Sequence, residues 1–395
     1  MSAQLVEKAR ALLESSQYDS ALQLLSPELG KNGDNVEFLQ IFGECLLENN
    51  DLDNAYDVLV KACQLDPHGD KGTEKFLYLG QMIGGLDGLN SLEIGLAKLN
   101  HQLNLLTQNQ INNDELLSQL SKLYTTNAAL KSYLVKKLNQ GIFAQIEIWM
   151  TDLCMEPEAE AKCNELIDFS LGLDKENPET FSLLASIRIS QQRNDEAKES
   201  LIQSWNLFQQ KKAQLEQAAN SIRNAENNEN NENNDAFEVG VEYVELIQPL
   251  LTLSKFAIEL EQYETAATIT SNIQDINENI LDTYYYEALS YLFAAKYLYH
   301  QAQNPKIEDY RDVDNKELLK SSNVEVANKV KEAKSSLTNG YKIINSDAVE
   351  TADPELVEQV NALLSELGGP VMSELMPARN EDETGWEDEI HSDNE

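Results

Sequence analysis

The sequence is poor in positive charge. It has 30 Lys and Arg residues against 68 Asp and Glu residues, which gives a formal net charge of −38. Phosphate groups are bound by clustered Lys and Arg, so this shortage argues against nucleic acid and against an anionic membrane surface as direct partners. The surplus of carboxylates favours a basic partner, because the field of the protein attracts cations. The alternative is that the acidity only keeps the protein soluble.

Cysteine and histidine are scarce too, with four of each. The cysteines are Cys45, Cys63, Cys154 and Cys163. None forms a Cys-x-x-Cys pair, so the sequence predicts no metal site and fits a reducing compartment. Sequence motifs for a phosphate-binding Gly-rich loop, a serine nucleophile elbow and a zinc hydrolase are absent, and the histidines are scattered. We therefore predict that the protein is not an enzyme and needs no cofactor.

Long apolar runs are missing, since no stretch of 18 apolar residues could span a membrane. The N-terminal segment 1–20 carries Glu7 and Arg10 within a helical pattern, so no secretory signal is expected. Lys136-Lys137 and Lys211-Lys212 are isolated basic pairs, interpreted as solvated helix faces rather than as an import signal. The expected location is the cytoplasm and the nucleus, and a monomer is expected.

A repeat of about 34 residues dominates the pattern, and this is the period of a tetratricopeptide repeat. Ala21 and Ala55 are separated by one such period, and each lies in the same arrangement of large and small apolar residues. Before Ala55, the pattern has Leu39, Phe42 and Gly43 at the spacing of the first helix of the repeat. Small residues are required where the two helices of a repeat approach closely, and large ones fill the gaps between them.

Further copies of the repeat occur along the chain. Phe76 and Gly80 mark the first helix of a third copy. Cys163 and Ala197 are another pair separated by one repeat period, and Ala266 lies at the centre of a later copy. No alternating apolar run predicts a β-strand. The resemblance to tetratricopeptide proteins implies an all-α fold, a right-handed α-solenoid in which each repeat packs on its neighbours.

Changes in composition divide the chain into five segments. They are N-terminal repeats (1–110), middle helices and repeats (111–223), an Asn- and Glu-rich insertion (224–235), C-terminal repeat-like helices (236–369) and an acidic tail (370–395). The insertion and the tail are predicted to be disordered, because neither can bury apolar surface. Residues 381–395 contain eight acidic residues and no Lys or Arg. A solvated terminus does not need a tryptophan, so we expect the tail to contact a partner through Trp386, Glu387, Asp388 and Glu389.

The resemblance to tetratricopeptide proteins also implies a binding surface. In such a superhelix the first helix of each repeat lines a concave groove. The positions that face the groove map here to Glu37, Glu44, Glu48, Asp152, Glu156, Glu179, Glu259, Asp282 and Tyr285. This predicted groove suits an extended basic peptide, because carboxylates pair with Arg and Lys and a Tyr ring stacks on guanidinium groups.

A related group of tetratricopeptide proteins, the co-chaperones of the major heat-shock chaperones, binds acidic C-terminal tails through a clamp of Lys, Arg and Asn. The matching positions here are Val6, Arg10, Ile41, Leu77 and Gln81. Only Arg10 could serve in such a clamp, so this function is disfavoured.

The whole set of features resembles one fungal family, the dedicated assembly chaperones of large-subunit ribosomal protein L-four. The resemblance is carried by the repeats, the acidity and the Gly-Trp-Glu-Asp-Glu-Ile sequence at 385–390. It implies that a long basic loop of a newly made ribosomal protein lies in the groove until the client reaches the nuclear pre-ribosome. The chaperone would then enter the nucleus on its client's import signal. A scaffold of a multiprotein complex and a chaperone of another basic protein, such as histones, remain alternatives.

Overall fold

The structure is a computed structural model that describes residues 2–14, 17–124, 126–225, 233–303, 307–346 and 352–375. Within these ranges every regular element is a helix, which confirms the all-α prediction. The chain divides into two compact units, Met1–Gln191 and Gln192–Glu395. This division falls inside the predicted middle segment 111–223, and the segment boundaries themselves stay predictions.

Helical hairpins form the first unit. Its helices are α1 (Ser2–Glu14), α2 (Tyr18–Leu25), α3 (Leu29–Asn32), α4 (Val36–Glu48), α5 (Leu52–Leu65), α6 (Glu74–Ile83), α7 (Gly85–Thr107), α8 (Glu115–Leu123), α9 (Asn127–Met150), α10 (Ala159–Leu173) and α11 (Pro178–Ser190), with 3-10 turns at Ser26–Glu28 and Ile111–Asn113. Helix α4 packs on α5, α6 packs on α7, and α9 packs on both α7 and α10.

Side-chain caps fix where several of these helices begin. Asn35, Asp114, Thr126 and Asn177 each accept a hydrogen bond from a backbone N–H in the first turn of α4, α8, α9 and α11, respectively. Pro178 occupies the first position of α11, where its missing N–H has no partner to lose. These local signals determine the lengths of the first helices of the repeats, and therefore which residues can reach the concave side.

Close helix contacts depend on the small residues that the repeat predicts. Ala21 and Ala55 are fully buried. A Cβ atom on Gly43 of α4 would lie 2.6 Å from a methyl carbon of Leu59 on α5. In the third hairpin Gly80 of α6 faces Gly88 of α7, and a Cβ on Gly88 would collide with the carbonyl oxygen of Gly80. Backbone contact of this kind leaves no room for even one methyl group.

The glycine contact gives a stability prediction. We expect Gly88→Ala to lower the free energy of unfolding of the first unit by roughly 1–3 kcal/mol, because the added methyl group forces α6 and α7 apart. Gly172→Ala in α10 is the matched control, since nothing lies within 4 Å of its Cβ position and alanine favours a helix. Denaturant unfolding of both variants measures the difference. Equal stability of G88A and the wild type would contradict the close approach of α6 and α7.

The second unit is helical as well. Its helices are α12 (Asn194–Ala225), α13 (Asn233–Glu245), α14 (Ile247–Glu259), α15 (Tyr263–Gln274), α16 (Leu281–Gln303), α17 (Asn315–Leu318), α18 (Val324–Ile344), α19 (Pro354–Glu366) and α20 (Met372–Leu375), with a 3-10 turn at Tyr310–Asp312. Helix α15 packs between α14 and α16, and α16 packs along α18. The core between α16, α18 and α19 contains Ala288, Leu292, Val330, Leu337 and Val360.

Helices extend into both of the segments that the composition predicts to be disordered. Helix α12 continues to Ala225 and α13 begins at Asn233, so both ends of the interval 224–235 are helical and 226–232 lies outside the described residues. At the other end of the chain, the Val371 N–H donates to Thr338 Oγ1 (3.0 Å) and the Ser335 hydroxyl donates to Glu374 Oε2 (2.9 Å). These bonds hold residues 371–374 on α18, which the composition of the acidic tail could not indicate.

Candidate partner-binding groove

A concave pocket of about 630 Å³ lies in the first unit, where α6, α9 and α11 face one another. We call it the unit 1 pocket. Its residues are Glu74, Leu77, Tyr78, Gln81, Lys137, Gln140, Phe143, Ala144, Glu147, Met150, Thr151, Leu183 and Ser186. Its volume lies within the range of about 300–1,000 Å³ that is usual for binding pockets. The pocket walls combine aliphatic and aromatic side chains with polar groups, as expected of a surface that binds peptide.

Hydrogen bonds link α4, α6 and α9 beside this pocket. The Tyr78 hydroxyl donates to Glu44 Oε1 (2.9 Å), and the Tyr133 hydroxyl donates to Glu74 Oε1 (2.9 Å). The other oxygen of Glu74 accepts from the Gln40 side chain (3.0 Å) and from a backbone N–H. We call these residues the carboxylate network. Both oxygens of Glu74 and one oxygen of Glu44 are therefore already bonded within the protein.

Two cations oppose the two carboxylates of the network. Burial by itself would raise the pKa of Glu74, but the Lys137 charge, the hydrogen bonds to Glu74 and the Arg10 charge hold that pKa below its usual value. Burial raises the pKa of Glu44, although the bond from Tyr78 and the Lys137 charge act in the opposite direction. The charges of Lys137 and Arg10 therefore offset part of the negative charge of the carboxylate network, to which the predicted groove residue Glu44 belongs.

Three of the predicted groove residues share one face of α4. Glu37 and Glu48 are exposed, whereas Glu44 is half-buried and bonded to Tyr78. Their spacings of seven and four residues are about two turns and one turn, which places them on the same side of the helix. Glu37 and Glu48 are thus accessible to a partner, while Glu44 also holds α4 against α6. Their contact with a partner stays a prediction.

Asp152 and Glu156 were expected on a helix lining the groove, and this placement is wrong. Helix α9 ends at Met150, and both residues lie in the turn that follows it. The Asp152 carboxylate accepts the Gly85 N–H at 2.7 Å, so it caps the N-terminus of α7 from outside that helix. Gly84 has φ +66° and no room for a Cβ atom beside Asp152. Asp152 therefore has a structural contact that joins two turns.

The residues at the end of α9 that face the pocket are one position earlier in the sequence than the repeat register predicts. The register that places Asp152 in the groove would also place Ile148 there, one turn earlier, but Ile148 is buried against Gly88. The pocket is lined instead by Ala144, Glu147 and Thr151. One residue rotates a helix by about 100°, which is enough to turn a side chain from the groove into the core.

The cap suggests a test of Asp152. We expect Asp152→Ala to lower the stability of the first unit by about 1 kcal/mol, because α7 loses an N-terminal hydrogen-bond acceptor. Binding of a basic partner should change little at moderate salt. Glu156→Ala, four residues away in the same turn, removes the same charge and is the control. A loss of binding in D152A without loss of stability would show that the carboxylate contacts the partner directly.

The remaining predicted residues are spread over both units. Glu179 lies in the first turn of α11, one turn before Leu183 of the unit 1 pocket. In the second unit Glu259 is exposed at the end of α14, and Asp282 lies in the first turn of α16. Tyr285 packs against the core of α16 and α18. The predicted groove residues of the first unit are therefore Glu37, Glu44, Glu48, Asp152, Glu156 and Glu179, and those of the second unit are Glu259, Asp282 and Tyr285. The tail residues 386–389 lie outside the described residues.

Tyr286, next to Tyr285, contacts an aromatic ring and a cation. Its ring lies edge-on to Tyr285, with ring centroids 5.7 Å apart, and Lys255 Nζ lies 5.2 Å from its centroid. Tyr284 is buried and its hydroxyl donates to the Glu278 carbonyl oxygen (3.0 Å). The three adjacent tyrosines thus face different surroundings, as expected from the rotation of successive helical residues.

Several pocket residues were missed by sequence reasoning. Glu74 and Tyr78 follow Gln40 and Glu44 by 34 residues, so the repeat offset itself could have identified them. Lys137 was interpreted as half of a solvated pair, but it lines the unit 1 pocket beside the carboxylate network. No sequence motif identifies Lys137, because it lies in the part of α9 that precedes the residues with the repeat pattern.

The described residues contain no group of three or more His, Cys, Asp or Glu side chains that could hold a metal ion. Among the described helices, none has both the length and the apolar character required to cross a membrane.

Comparisons with known proteins identify a consistent set of relatives. Residues 279–387 match the family described as the ACL4 C-terminal domain. A probable assembly chaperone of rpl4 from Emericella nidulans is 30% identical over 216 residues, which is 52% of this chain and 49% of the relative. A probable assembly chaperone of rpl4 from Schizosaccharomyces pombe is 33% identical over 166 residues, which is 41% of this chain and 43% of the relative. The chain spans about half the length of these curated relatives.

A solved structure supports the fold. The assembly chaperone of RpL4, Acl4, superposes with a TM-score of 0.55 over 76% of this chain and 99% of that chain, at 23% sequence identity. This likeness confirms the predicted tetratricopeptide-like solenoid. Together the relatives and the matched C-terminal domain confirm that the chain resembles the family that its sequence indicated, the assembly chaperones of large-subunit ribosomal protein L-four.

Proposed function

We propose that this chain is a dedicated chaperone that binds and shields a basic extended segment of newly made rpl4 and escorts it to nuclear pre-ribosomes. One observation carries the proposal: two curated relatives, matching 52% and 41% of this chain, have the same name, probable assembly chaperone of rpl4. The net charge of −38 agrees with a basic client.

Exposed carboxylates of the first unit give the proposal a mechanism. Glu147 on α9 is exposed and lines the unit 1 pocket, and Glu37 and Glu48 are exposed on α4, the helix whose Glu44 accepts from Tyr78 of the pocket. They can pair with Arg and Lys of an extended segment. A basic segment paired in this way cannot bind RNA nonspecifically or aggregate. Ribosomal RNA has a denser negative charge, so it can compete for the client at the pre-ribosome and release it.

The protein acts by binding alone, as a monomer without catalysis or cofactor, and makes no direct contact with nucleic acid or membrane. It works in the cytoplasm, where the client is made, and in the nucleus, which it enters on the client's import signal. Trp386 and the adjacent carboxylates of the tail contribute a second contact with the client.

The test is a tagged pull-down from cells followed by mass spectrometry of the proteins that remain at moderate salt. We expect rpl4 in near-equal amount to the tagged chain. A stoichiometric complex with neutral proteins would replace the proposal with a scaffold. Recovery of histones in place of rpl4, and preference for them in competition, would replace it with a chaperone of another basic protein.

A further inference from the structure

The unit 1 pocket has an apolar part although it belongs to a strongly acidic protein. Leu77, Phe143, Met150 and Leu183 line it from three helices. Phe143 and Leu183 are only partly buried, so their apolar surface remains open to a ligand. A binding surface that acted through charge alone would not need this arrangement, because Arg and Lys are recognised by carboxylates at exposed positions.

The carboxylates of the network beside these walls are already bonded to other residues of the protein. Glu74 is bonded through both oxygens, and Glu44 is bonded to Tyr78. Lys137 lines the pocket and its charge acts on both carboxylates. A cationic side chain entering between these walls would meet Lys137, while both oxygens of Glu74 and one oxygen of Glu44 already have partners. The exposed Glu147 is the other carboxylate that lines the pocket. The interior of the pocket therefore offers little attraction for Arg or Lys, whereas an apolar side chain gains by leaving water.

We propose that the unit 1 pocket binds an apolar side chain, of the size of Leu, Ile, Met or Phe, within the otherwise basic segment of the client. This inference rests on the proposed function and adds the feature that distinguishes the client from other basic chains. Basic residues on either side of the apolar anchor pair with Glu37, Glu48 and Glu147. An anchor in a pocket surrounded by accessible charges is the usual arrangement of a specific interface.

Two variants on α11 test the pocket directly. Ser186 lines the pocket, whereas Ser190, one turn later on the same helix, is exposed and does not. We expect Ser186→Phe to fill the pocket and weaken binding of purified rpl4 at least tenfold at both low and high salt, with an unchanged salt slope. Ser190→Phe should bind as the wild type does. Circular dichroism and unfolding of both full-length variants verify that the fold is kept.

Synthetic peptides provide a measurement that does not depend on a variant fold. Two peptides of equal Arg and Lys content, one with a single central Leu and the other with Ser at that position, are titrated against the wild-type chain. We expect the Leu peptide to bind about tenfold more tightly, and S186F to remove the difference. Equal binding of the two peptides while rpl4 itself binds would overturn the pocket inference alone. Failure of the wild-type chain to bind rpl4 would overturn the proposed function.

Discussion

Reversing three exposed carboxylates of the first unit, through Glu37→Lys, Glu48→Lys and Glu147→Lys together, is expected to weaken binding of rpl4 about 100-fold at low salt. An exposed ion pair contributes roughly 0.2–1 kcal/mol, and reversal replaces that attraction with a repulsion of similar size. Three such changes amount to about 3 kcal/mol. The loss should shrink as salt is raised, because exposed charges are screened.

A control variant with the same change in net charge distinguishes the effect of these three carboxylates on affinity from the effect of the net charge of the protein. Asp53 and Asp57 on α5 and Glu93 on α7 are exposed and do not line the unit 1 pocket. Reversing these three to Lys should cost much less affinity in titrations at several salt concentrations. If both triple variants lost affinity equally, binding would follow the net charge and the groove would have no special role.

The second large effect is on stability. Lys75 is fully buried, and its ammonium contacts Asp66 Oδ2 at 2.8 Å and the carbonyl oxygen of Gly72. Asp66 also accepts the N–H groups of Asp70 (3.0 Å) and Lys71 (2.9 Å), which shapes the turn between α5 and α6. We expect Lys75→Met to destabilise the first unit by about 3–5 kcal/mol, since it leaves a buried carboxylate without its cation.

Removing both charges should cost less than removing one. In the double variant Asp66→Asn with Lys75→Met no unpaired buried charge remains, so we expect part of the stability lost in K75M to return. Chemical unfolding, followed by a probe in the first unit, measures the cycle. A double variant no more stable than K75M would contradict this account of the turn.

The pH dependence of K75M distinguishes lost charge from lost packing. Burial alone would raise the pKa of Asp66, but the Lys75 bond and charge and the two N–H groups hold it below its usual value. A carboxyl with a lowered folded-state pKa stabilises the protein above its unfolded pKa, about 3.9, and this stability is lost as the pH falls. The difference in free energy of unfolding between the wild type and K75M should therefore become smaller below about pH 4. A difference that stayed constant would indicate packing alone.

The repeat offset was sufficient to predict the hairpins of the first unit. A short sequence pattern specifies close helix contacts, because only a small residue fits opposite a neighbouring backbone. Gly43 against Leu59 and the buried Cys163 both follow from their places in the repeat. These features are local, since each repeat packs mainly on the next one.

The groove was harder to predict because its register is determined by contacts between distant residues. Gly141 of α9 lies so close to Leu96 of α7 that a Cβ would approach a methyl carbon to 2.6 Å, and this contact fixes the rotation of α9. Asp152 accepts a hydrogen bond from the N–H of Gly85, 67 residues earlier in the chain. The position of Lys137 beside Glu74 depends on the same long-range packing. No spacing within a single repeat encodes these contacts.

The most direct test of the central claim asks where the client lies. A photocrosslinking amino acid is placed at Gln81, which lines the unit 1 pocket, or at Tyr56, which is exposed on α5 and outside it. Each full-length variant is irradiated with purified rpl4, and the crosslinked residues of rpl4 are mapped by mass spectrometry. We predict a crosslink from position 81 to a basic segment of rpl4 and none from position 56. A crosslink from position 56 with none from position 81 would contradict binding in the groove.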